Sequence, residues 1–324
     1  MKLRSIAATT TTTALLTLCG GAFLAAPAAA DLVTSCNGQG GAVTVPGDLV
    51  VPAGKSCTLT GTTVEGDVTV RAGADLVVKG GTFKGKVIVR EDGYLDTTDT
   101  EISGAVTARS AFGAYLEDSE LSANLRAVAV DGSTVQGFVF SIGSSVDGNV
   151  NARTGDLFAE SSTIGGDFTG DGTGYTDLYD SVVDGDLRVA GNAHGSIFCG
   201  GEVYGDATYT GNSDTVQIGS DGPVAGCSAT SYWHNNVTVK GNTATVHIDD
   251  NIIRGDLTAR DNDPVALAGQ DNRVRGTING ELGEIGSAQA RTLSVQERSE
   301  GLEAKADDRR EAAEAEAEKA GQAF

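Results

Sequence analysis

Short runs of alternating apolar and polar residues recur along most of the chain. In Asp67-Val68-Thr69-Val70 the two valines point to one face of a strand, and a second run, Leu76-Val77-Val78, follows before the next turn. This unit returns at intervals of about 19 residues over most of residues 45–280. No helical periodicity of apolar residues appears before residue 287. Helical bundles and doubly wound α/β folds are therefore excluded.

The repeat aligns on 12 anchor positions, namely Gly47, Gly66, Gly85, Gly104, Ala123, Gly148, Gly166, Gly185, Gly205, Asn235, Gly255 and Gly276. The residues two positions before and two positions after each anchor, 24 in all, are apolar. Coils stacked about 4.8 Å apart let each strand hydrogen-bond to the next and join these residues in one inward ladder. The sequence therefore predicts an all-β fold, a single parallel β-helix (β-solenoid) of about 12 coils of roughly 19–21 residues each.

The inward ladder sets the expected orientation of every strand. We expect Val68, Val87 and Val106 to stack inside, with Thr69 and Thr107 facing outward. Two coils are longer, with anchor steps of 25 and 30 residues. We place their extra segments near residues 136–145 and 221–232, as surface loops.

The first 30 residues carry the features of a secretory signal peptide. Lys2 and Arg4 precede an apolar stretch that is too short for a membrane span, and Ala28-Ala29-Ala30 offers a cleavage site. No second apolar run follows, so we predict a secreted bacterial protein, extracellular or cell-wall associated, without membrane insertion. Lipidation at Cys19 is the alternative, because the preceding residues resemble a lipobox except at Leu18, where a small residue is required.

Three segments follow from these patterns. Residues 1–30 form the signal peptide, residues 31–286 form the solenoid with 31–46 as its N-terminal cap, and residues 287–324 form a tail rich in alanine and glutamate. The stretch 311–319 is strongly helix-prone but lacks a sustained apolar stripe. We expect a helical or disordered tail in solvent, and docking to a partner or to the cell wall is the alternative.

Four cysteines remain after the signal peptide: Cys36, Cys57, Cys199 and Cys227. In an oxidising compartment an even number predicts two disulfides, with three possible pairings. Cys36 and Cys57 are 21 residues apart, which is about one coil, and Cys199 and Cys227 are 28 apart across the longest coil. Local pairing is therefore favoured. No C-x-x-C spacing is present, so we predict no metal site and no cofactor.

The amino-acid composition and the net charge limit the classes of binding partner that we expect. The 45 glycines and the 5% aromatic content suit a chain that turns often around a thin core. The formal net charge is −21, and it becomes −23 when Lys2 and Arg4 leave with the signal peptide. Such a surface repels nucleic acids and anionic lipids. We predict no nucleic-acid partner, and expect cell-wall or extracellular glycans, or self-association, instead.

The repeats G-D-V-T-V at Gly66, G-D-L-R-V at Gly185 and G-D-L-T-A at Gly255 resemble those of bactofilins. The resemblance covers most of residues 45–280. It implies a right-handed β-helix, and it implies self-association, since bactofilins polymerise without nucleotide. Bactofilins are cytoplasmic, whereas this chain has a signal sequence and paired cysteines.

Two columns of charged residues follow the anchors. One is acidic or amidic and comprises Asp48, Asp67, Asn124, Asn149, Asp167, Asp186, Asp206, Asn236 and Asp256. It is typical of turns that Asp and Asn side chains stabilise, with calcium binding as the alternative. The other is basic and comprises Arg71, Arg90, Arg109, Arg153, Lys240 and Arg260. We expect surface ion pairs there, with a track for anionic glycans as the alternative.

Catalytic signatures are weak. Parallel β-helices host polysaccharide lyases and hydrolases, which need facing carboxylates or clustered acids. Here His194, His234 and His247 have no ligand or triad spacing, and G-x-S-x-G is absent. We predict a non-enzymatic extracellular structural or cell-surface interaction protein that presents a rigid repeat scaffold. The alternative is a polysaccharide-active enzyme of the parallel β-helix type, a lyase or a hydrolase.

Aromatic residues are concentrated late in the chain. Five of the seven tyrosines and the single tryptophan lie between residues 168 and 233. Such rings either fill a widened coil or form a platform on which sugars stack. The candidate ligand-binding residues are Tyr204, Tyr209, Tyr232, Trp233 and His234.

Overall fold

Thirty-eight short strands and one helix account for the regular structure of the described residues. The computed structural model describes residues 32–220, 222–224, 226–227, 229–285 and 295–324. The predicted signal peptide with Cys19, and the first part of the tail at 287–294, lie outside the described residues. No helix within the described ranges has both the length and the apolar character that crossing a bilayer requires.

The strands are short, mostly of two to five residues. The first thirteen are β1 Val33–Ser35, β2 Gly38–Gly40, β3 Thr44–Val45, β4 Asp48–Val51, β5 Ser56–Thr60, β6 Thr63–Val64, β7 Val68–Val70, β8 Asp75–Lys79, β9 Thr82–Phe83, β10 Val87–Val89, β11 Tyr94–Thr98, β12 Glu101–Ile102 and β13 Val106–Arg109. The next thirteen are β14 Gly113–Glu117, β15 Glu120–Leu121, β16 Leu125–Val128, β17 Phe138–Ile142, β18 Ser145–Val146, β19 Val150–Ala152, β20 Asp156–Glu160, β21 Thr163–Ile164, β22 Phe168–Asp171, β23 Tyr175–Tyr179, β24 Val182–Val183, β25 Leu187–Ala190 and β26 Gly195–Cys199. The last twelve are β27 Glu202–Val203, β28 Ala207–Thr210, β29 Val216–Ile218, β30 Ser231–Trp233, β31 Val237–Lys240, β32 Val246–Ile248, β33 Asn251–Ile253, β34 Leu257–Arg260, β35 Leu267–Ala268, β36 Arg273–Val274, β37 Ile278–Gly280 and β38 Gly283–Glu284. The helix, α1, is Val295–Ala320.

Every third strand belongs to the same parallel sheet, so each coil contributes one strand to each of three sheets. Sheet A runs from β1 to β37, sheet B from β2 to β38 and sheet C from β3 to β36, with 13, 13 and 12 strands. The fold is therefore a parallel β-solenoid of about 13 turns, as predicted. The additional turn consists of β1, β2 and β3, within the predicted cap 31–46. The anchors miss it because no glycine-led unit precedes Val33.

The predicted inward ladder is confirmed. Val87 pairs with Val68 on one side and Val106 on the other, and all three are fully buried. Thr69 and Thr107 alternate with them on the outer face. All of the 24 apolar positions beside the anchors are buried except Val274 and Ile278. These two lie in the last coil, where no further coil stacks on them.

A second ladder, of asparagines, fills the corner between sheets A and B in the later coils. The Asn192 backbone N–H donates to Asn212 Oδ1 over 2.9 Å, and the Asn212 backbone N–H donates to Asn242 Oδ1 over 2.9 Å. Asn242 does the same with Asn262 over 3.1 Å. Each side chain thus satisfies a buried backbone group of the preceding turn. The sequence signal is a recurrent Gly-Asn pair, at 191–192, 211–212 and 241–242.

The two insertions occupy opposite edges of sheet B. The first lies between β16 and β17, at residues 129–137, and the predicted position at 136–145 is wrong. Residues 138–142 form β17, which pairs regularly with β14. Anchor spacing gives the number of extra residues but not their position within the coil. The second insertion lies between β29 and β30, in agreement with the prediction.

Both disulfides pair locally, as predicted. The Cα atoms of Cys36 and Cys57 are 5.7 Å apart, and those of Cys199 and Cys227 are 5.9 Å apart. The first links the two N-terminal coils, and the second holds the insertion after β29 against the outer face of sheet B. Two disulfides indicate an oxidising, extracellular environment.

Helix α1 packs along the outer face of sheet B, so the expectation of a solvent-exposed tail is wrong. Ala306, Ala313 and Ala317 are fully buried, and their spacing places them on one side of the helix. Arg310 Nε lies 2.8 Å from Asp96 Oδ2, and Arg309 Nε lies 2.8 Å from Asp75 Oδ1. Alanines make a narrow contact surface that a search for large apolar residues does not detect.

The end of the chain covers an edge of the solenoid. The Gln39 backbone N–H donates to the Gly321 carbonyl over 2.8 Å, and the Ala323 N–H donates to the Gln39 carbonyl over 2.9 Å. Gly38 has a φ of +115°, and a Cβ there would collide with the Gly321 carbonyl oxygen. The C-terminal residues thereby cover the first strand of sheet B, an edge that would otherwise be open to association.

Candidate functional site

Strand alternation divides the five candidate ligand-binding residues between the interior and the surface. Trp233 faces inward, packs on Phe198 with ring centroids 4.3 Å apart, and donates from Nε1 to Asn251 Oδ1 over 2.8 Å. Tyr209 is also fully buried, and burial raises the pKa of its phenol. Neither ring can contact a ligand at the surface. Tyr204, Tyr232 and His234 are left as the surface candidates.

Tyr204 and His234 form an ordered pair of rings at the corner between sheets C and A. Their centroids are 4.0 Å apart with an interplanar angle of 9°, and Tyr204 is 47% exposed. Arg254 Nη1 lies 3.3 Å from His234 Nδ1, and Glu202 Oε2 lies 3.3 Å from His234 Nε2. Because a guanidinium can only donate, Nδ1 accepts and the Nε2–H donates to Glu202. The Glu202 carboxylate also raises the pKa of Tyr204.

A groove opens beside Tyr232, between the disulfide-held insertion and the C-terminal coils. We call it the loop groove; its volume is about 480 Å³, and it is lined by Ser220, Cys227, Thr230, Tyr232, Asp250, Ile252, Asp271 and Arg273. Thr230 Oγ1 donates to Asp250 Oδ1 over 2.8 Å. Two carboxylates, one guanidinium and an exposed ring together suit a hydroxyl-rich ligand.

The acidic and amidic column forms a hydrogen-bonded ladder at the corner between sheets C and A. Asp48 Oδ1 accepts from the Asp67 backbone N–H over 2.8 Å, and Asp186 Oδ1 accepts from the Asp206 N–H over 2.8 Å. This confirms the interpretation that these side chains satisfy backbone groups at turns. Among the residues that the structure describes, no three His, Cys, Asp or Glu side chains are grouped so as to hold a metal ion.

The basic column lies at the other edge of sheet A, and the predicted ion pairs are absent there. Among the described residues, no carboxylate lies within ion-pair distance of the column's members, Arg71, Arg90, Arg109, Arg153, Lys240 and Arg260. At the opposite edge, Lys84 lies 2.9 Å from Glu65 and Lys86 lies 2.9 Å from Asp67. The hydrogen bond from Lys86 lowers the pKa of Asp67.

A second groove runs along sheet A beside this basic column. We call it the arginine groove; its volume is about 490 Å³, and it is lined by Arg126, Ala127, Val128, Asn151, Arg153, Thr169, Asp171 and Arg188. Arg188 Nη2 is 3.9 Å from Asp171 Oδ2, whereas Arg126 has no carboxylate partner among the described residues. Sequence reasoning missed this groove because it treated each column separately. Positions two residues apart on a strand share a face, so neighbouring columns combine.

Apart from Tyr209, the buried titratable groups lie on the outer face of sheet B. The Tyr94 hydroxyl donates to Asp96 Oδ2, which Arg310 also contacts. Burial raises the pKa of Asp96, while the contacts with Tyr94 and Arg310 oppose this rise. His247 is 1% exposed on the same face, and burial lowers its pKa. These groups lie outside both grooves.

Comparison of the chain with protein-family models, with curated proteins and with solved structures finds no match. The repeats that resemble those of bactofilins therefore carry no family assignment. The properties that can be assigned are the parallel β-solenoid, its two disulfides and the geometry of its two grooves.

Proposed function

We propose that this chain is an exported, non-enzymatic scaffold that presents a rigid repeat surface to polysaccharides outside the cell. Export accounts for the signal-like segment at residues 1–30 and is consistent with the two disulfides. The function is to hold regularly spaced polar side chains in a fixed array.

The bracing of the stacked coils by α1 and by the two disulfides is the observation that carries this proposal. Two contacts show how far α1 extends along the coils. Lys305 Nζ lies 3.6 Å from Asp156 Oδ2 in β20, and the Ser56 hydroxyl of β5 donates to Glu316 Oε2 over 3.1 Å. The helix therefore spans the coils from β5 to β20, and the disulfides fix the first coils and the long insertion. Stacked repeats held in this way offer an extended surface to a repetitive ligand.

The proposal is tested with the purified, oxidised protein and a panel of soluble polysaccharides. Binding is measured by co-sedimentation or calorimetry, and new reducing ends are measured in the same samples. We expect binding to at least one polysaccharide without release of reducing ends. Turnover of any of them would contradict the non-enzymatic function.

The loop groove favours a second candidate, a polysaccharide-active enzyme. It holds two carboxylates, Asp250 and Asp271, beside the exposed ring of Tyr232. Glycoside hydrolysis by the usual routes needs an acid and a second carboxylate on either side of the bond. If this candidate is correct, Asp250→Asn and Asp271→Asn each abolish turnover. Glu120→Gln, an exposed carboxylate on sheet C, is the matched control and leaves turnover unchanged.

A further inference from the structure

Five consecutive coils each place one unpaired arginine on the same side of the solenoid. Arg71, Arg90 and Arg109 directly follow Val70, Val89 and Ala108, which pair with one another across β7, β10 and β13. Arg126 lies in β16, and Arg153 follows β19, the next strand of sheet A. We call these five residues the arginine strip. At about 4.8 Å per coil, the strip is about 19 Å long.

The strip continues toward the C-terminal coils. The position beside Arg153 in the next coil is Asp171, and Arg188 follows one coil later, 3.9 Å from Asp171. Including Arg188, the row covers seven coils, about 29 Å. All six arginines are exposed. A ligand lying along the solenoid axis can therefore reach each guanidinium.

The unpaired charges are unfavourable to the fold alone. Like charges on neighbouring strands repel one another, and the chain contains 44 acidic residues against 23 basic ones. At the other edge of sheet A the same chain pairs Lys84 with Glu65 and Lys86 with Asp67. Carboxylates were therefore available, and the strip lacks them. An external anion is the partner that relieves this repulsion.

The residues around the strip indicate which class of anionic polymer it fits. Thr107, Asn151 and Thr169 lie beside the arginines on the outer face of sheet A and offer hydroxyl and amide groups. The large exposed apolar side chains of the described residues are elsewhere, with Tyr204 and Tyr232 at sheet C. None of the exposed aromatic rings of the described residues lies here, so nucleic-acid bases would have no exposed ring on which to stack. Guanidinium groups bind carboxylates and phosphates in a bidentate manner, and neutral polar groups bind hydroxyls.

We propose that the arginine strip and the arginine groove form the binding site for an acidic polysaccharide that lies along the solenoid axis. This inference rests on the scaffold function proposed above and names its ligand class. The groove, of about 490 Å³, holds part of the polymer between Arg126, Arg153 and Arg188. The strip extends the contact over the preceding coils.

The test uses the full oxidised protein, polygalacturonic acid as the carboxylate polymer and a teichoic acid as the phosphate polymer. Dextran is the neutral polymer, and single-stranded DNA tests nucleic acid. The strip variant is R90Q/R109Q/R126Q/R153Q. The matched control removes four exposed cations elsewhere, K79Q/K84Q/K86Q/R275Q. We expect wild type to bind at least one acidic polysaccharide, with an affinity that falls steeply as salt rises.

The strip variant is expected to lose about tenfold or more in affinity and to show a shallower dependence on salt. The control variant is expected to stay within about twofold of wild type, since its cations lie off the strip. If the fourfold variant does not fold, R109Q/R126Q gives the same comparison with a smaller loss. Comparison of the two affinities shows whether the strip prefers a carboxylate-bearing or a phosphate-bearing polymer.

Three outcomes would overturn the inference: no binding of either acidic polysaccharide, equal binding by the strip variant and wild type, or tighter binding of DNA than of both polysaccharides. Reducing ends are measured in the same samples. Their release would contradict the scaffold function while leaving the strip intact, and equal binding by the strip variant would contradict only the strip. The two failures are thus distinguishable.

Discussion

Sheets A and B have the same strand spacing and the same kind of buried inner face, but their outer faces differ. On sheet B the outward residues include Tyr115, Phe140 and Phe158, and they form a buried cluster of their own that includes Ala306 of the helix. On sheet A the outward residues are mostly threonine, asparagine and arginine, and they face solvent. The inner face therefore determines the solenoid, while the outer face determines whether a sheet is covered or left open to solvent.

The largest effect is expected where the two sheets are alike, in the inward ladder. Val87→Asp places an unpaired charge in a thin apolar core, and we expect it to lower the free energy of unfolding by about 5 kcal/mol or more. Thr107→Asp, on the outer face of sheet A, is expected to change it by only about 0.5 kcal/mol. Chemical denaturation of the two variants makes the comparison. Equal, small losses would contradict the assigned inner and outer faces.

Truncating an outward-facing residue on each sheet compares directly how far the two outer faces contribute to stability. Phe140 is fully buried on the outer face of sheet B and stacks on Phe138 with centroids 4.3 Å apart. We expect Phe140→Ala to lower the free energy of unfolding by about 3–4 kcal/mol. Asn151→Ala, at an outward position of sheet A, is the control and should change it by less than about 0.5 kcal/mol. A loss at Asn151 as large as that at Phe140 would mean that sheet A is covered too.

The sequence could predict the inner faces because their requirement is local and repetitive. Val68, Val87 and Val106 recur at a fixed interval, and each needs only to be apolar. All coils but the first, the disulfide pairing and the turn-stabilising column follow from the same spacing. The expectation of ion pairs at Arg71, Arg90 and Arg109 was wrong. It did not consider that the acidic and basic columns lie at opposite edges of sheet A.

The coverage of sheet B could not be predicted, because it depends on contacts between distant segments. Asp96 and Arg310 are 214 residues apart, and nothing in the sequence near either residue signals the pair. The buried face of α1 consists of alanines, which resemble those of a solvated helix. For the candidate site, alternation could assign Trp233 to the interior, whereas the loop groove depends on how the insertion after β29 folds back.

The next prediction concerns the contact between α1 and sheet B. Asp96 is fully buried beneath α1, so Arg310→Met leaves its carboxylate without its cation. We expect a loss of about 2–3 kcal/mol, limited by the free energy of helix docking, because undocking returns Asp96 to water. Hydrogen exchange of residues 303–320 should show faster exchange in this variant.

A double-mutant cycle with Asp96→Asn is the control for this prediction. In the Asp96→Asn background, Arg310→Met should cost clearly less, because no buried carboxylate is left unpaired. The same loss in both backgrounds would mean that Arg310 acts through packing on Tyr115, whose ring centroid lies 5.0 Å from the guanidinium carbon.

A smaller effect on stability is expected from the titration of His247, on the outer face of sheet B. Burial lowers the pKa of His247 below its usual 6.5, so below that pH the unfolded chain binds a proton that the folded chain does not. Stability should therefore fall as the pH is lowered below about 6.5, by at most about 1.4 kcal/mol per pH unit from this residue. Denaturation of wild type and His247→Gln at several pH values measures the difference. A difference that does not vary with pH would exclude His247 as the source.

The smallest effect on stability is expected at the arginine strip. R90Q/R109Q/R126Q/R153Q removes like charges that have no partner, so the free energy of unfolding should stay within about 0.5 kcal/mol of wild type or rise. K84Q/K86Q removes two exposed ion pairs at the other edge of sheet A and should lower it slightly. A larger loss in the strip variant than in K84Q/K86Q would assign the strip a structural role.

The most direct test of the division between a covered and a binding face is the free energy of unfolding with and without the acidic polysaccharide that wild type binds. A ligand at a concentration 100 times its Kd should stabilise wild type by about 2.7 kcal/mol. At that same ligand concentration the strip variant, whose affinity is expected to be about tenfold weaker or more, should gain about 1.4 kcal/mol or less, although without ligand it is at least about as stable as wild type. An equal gain in both proteins, or a strip variant that is already unstable without ligand, would contradict the account.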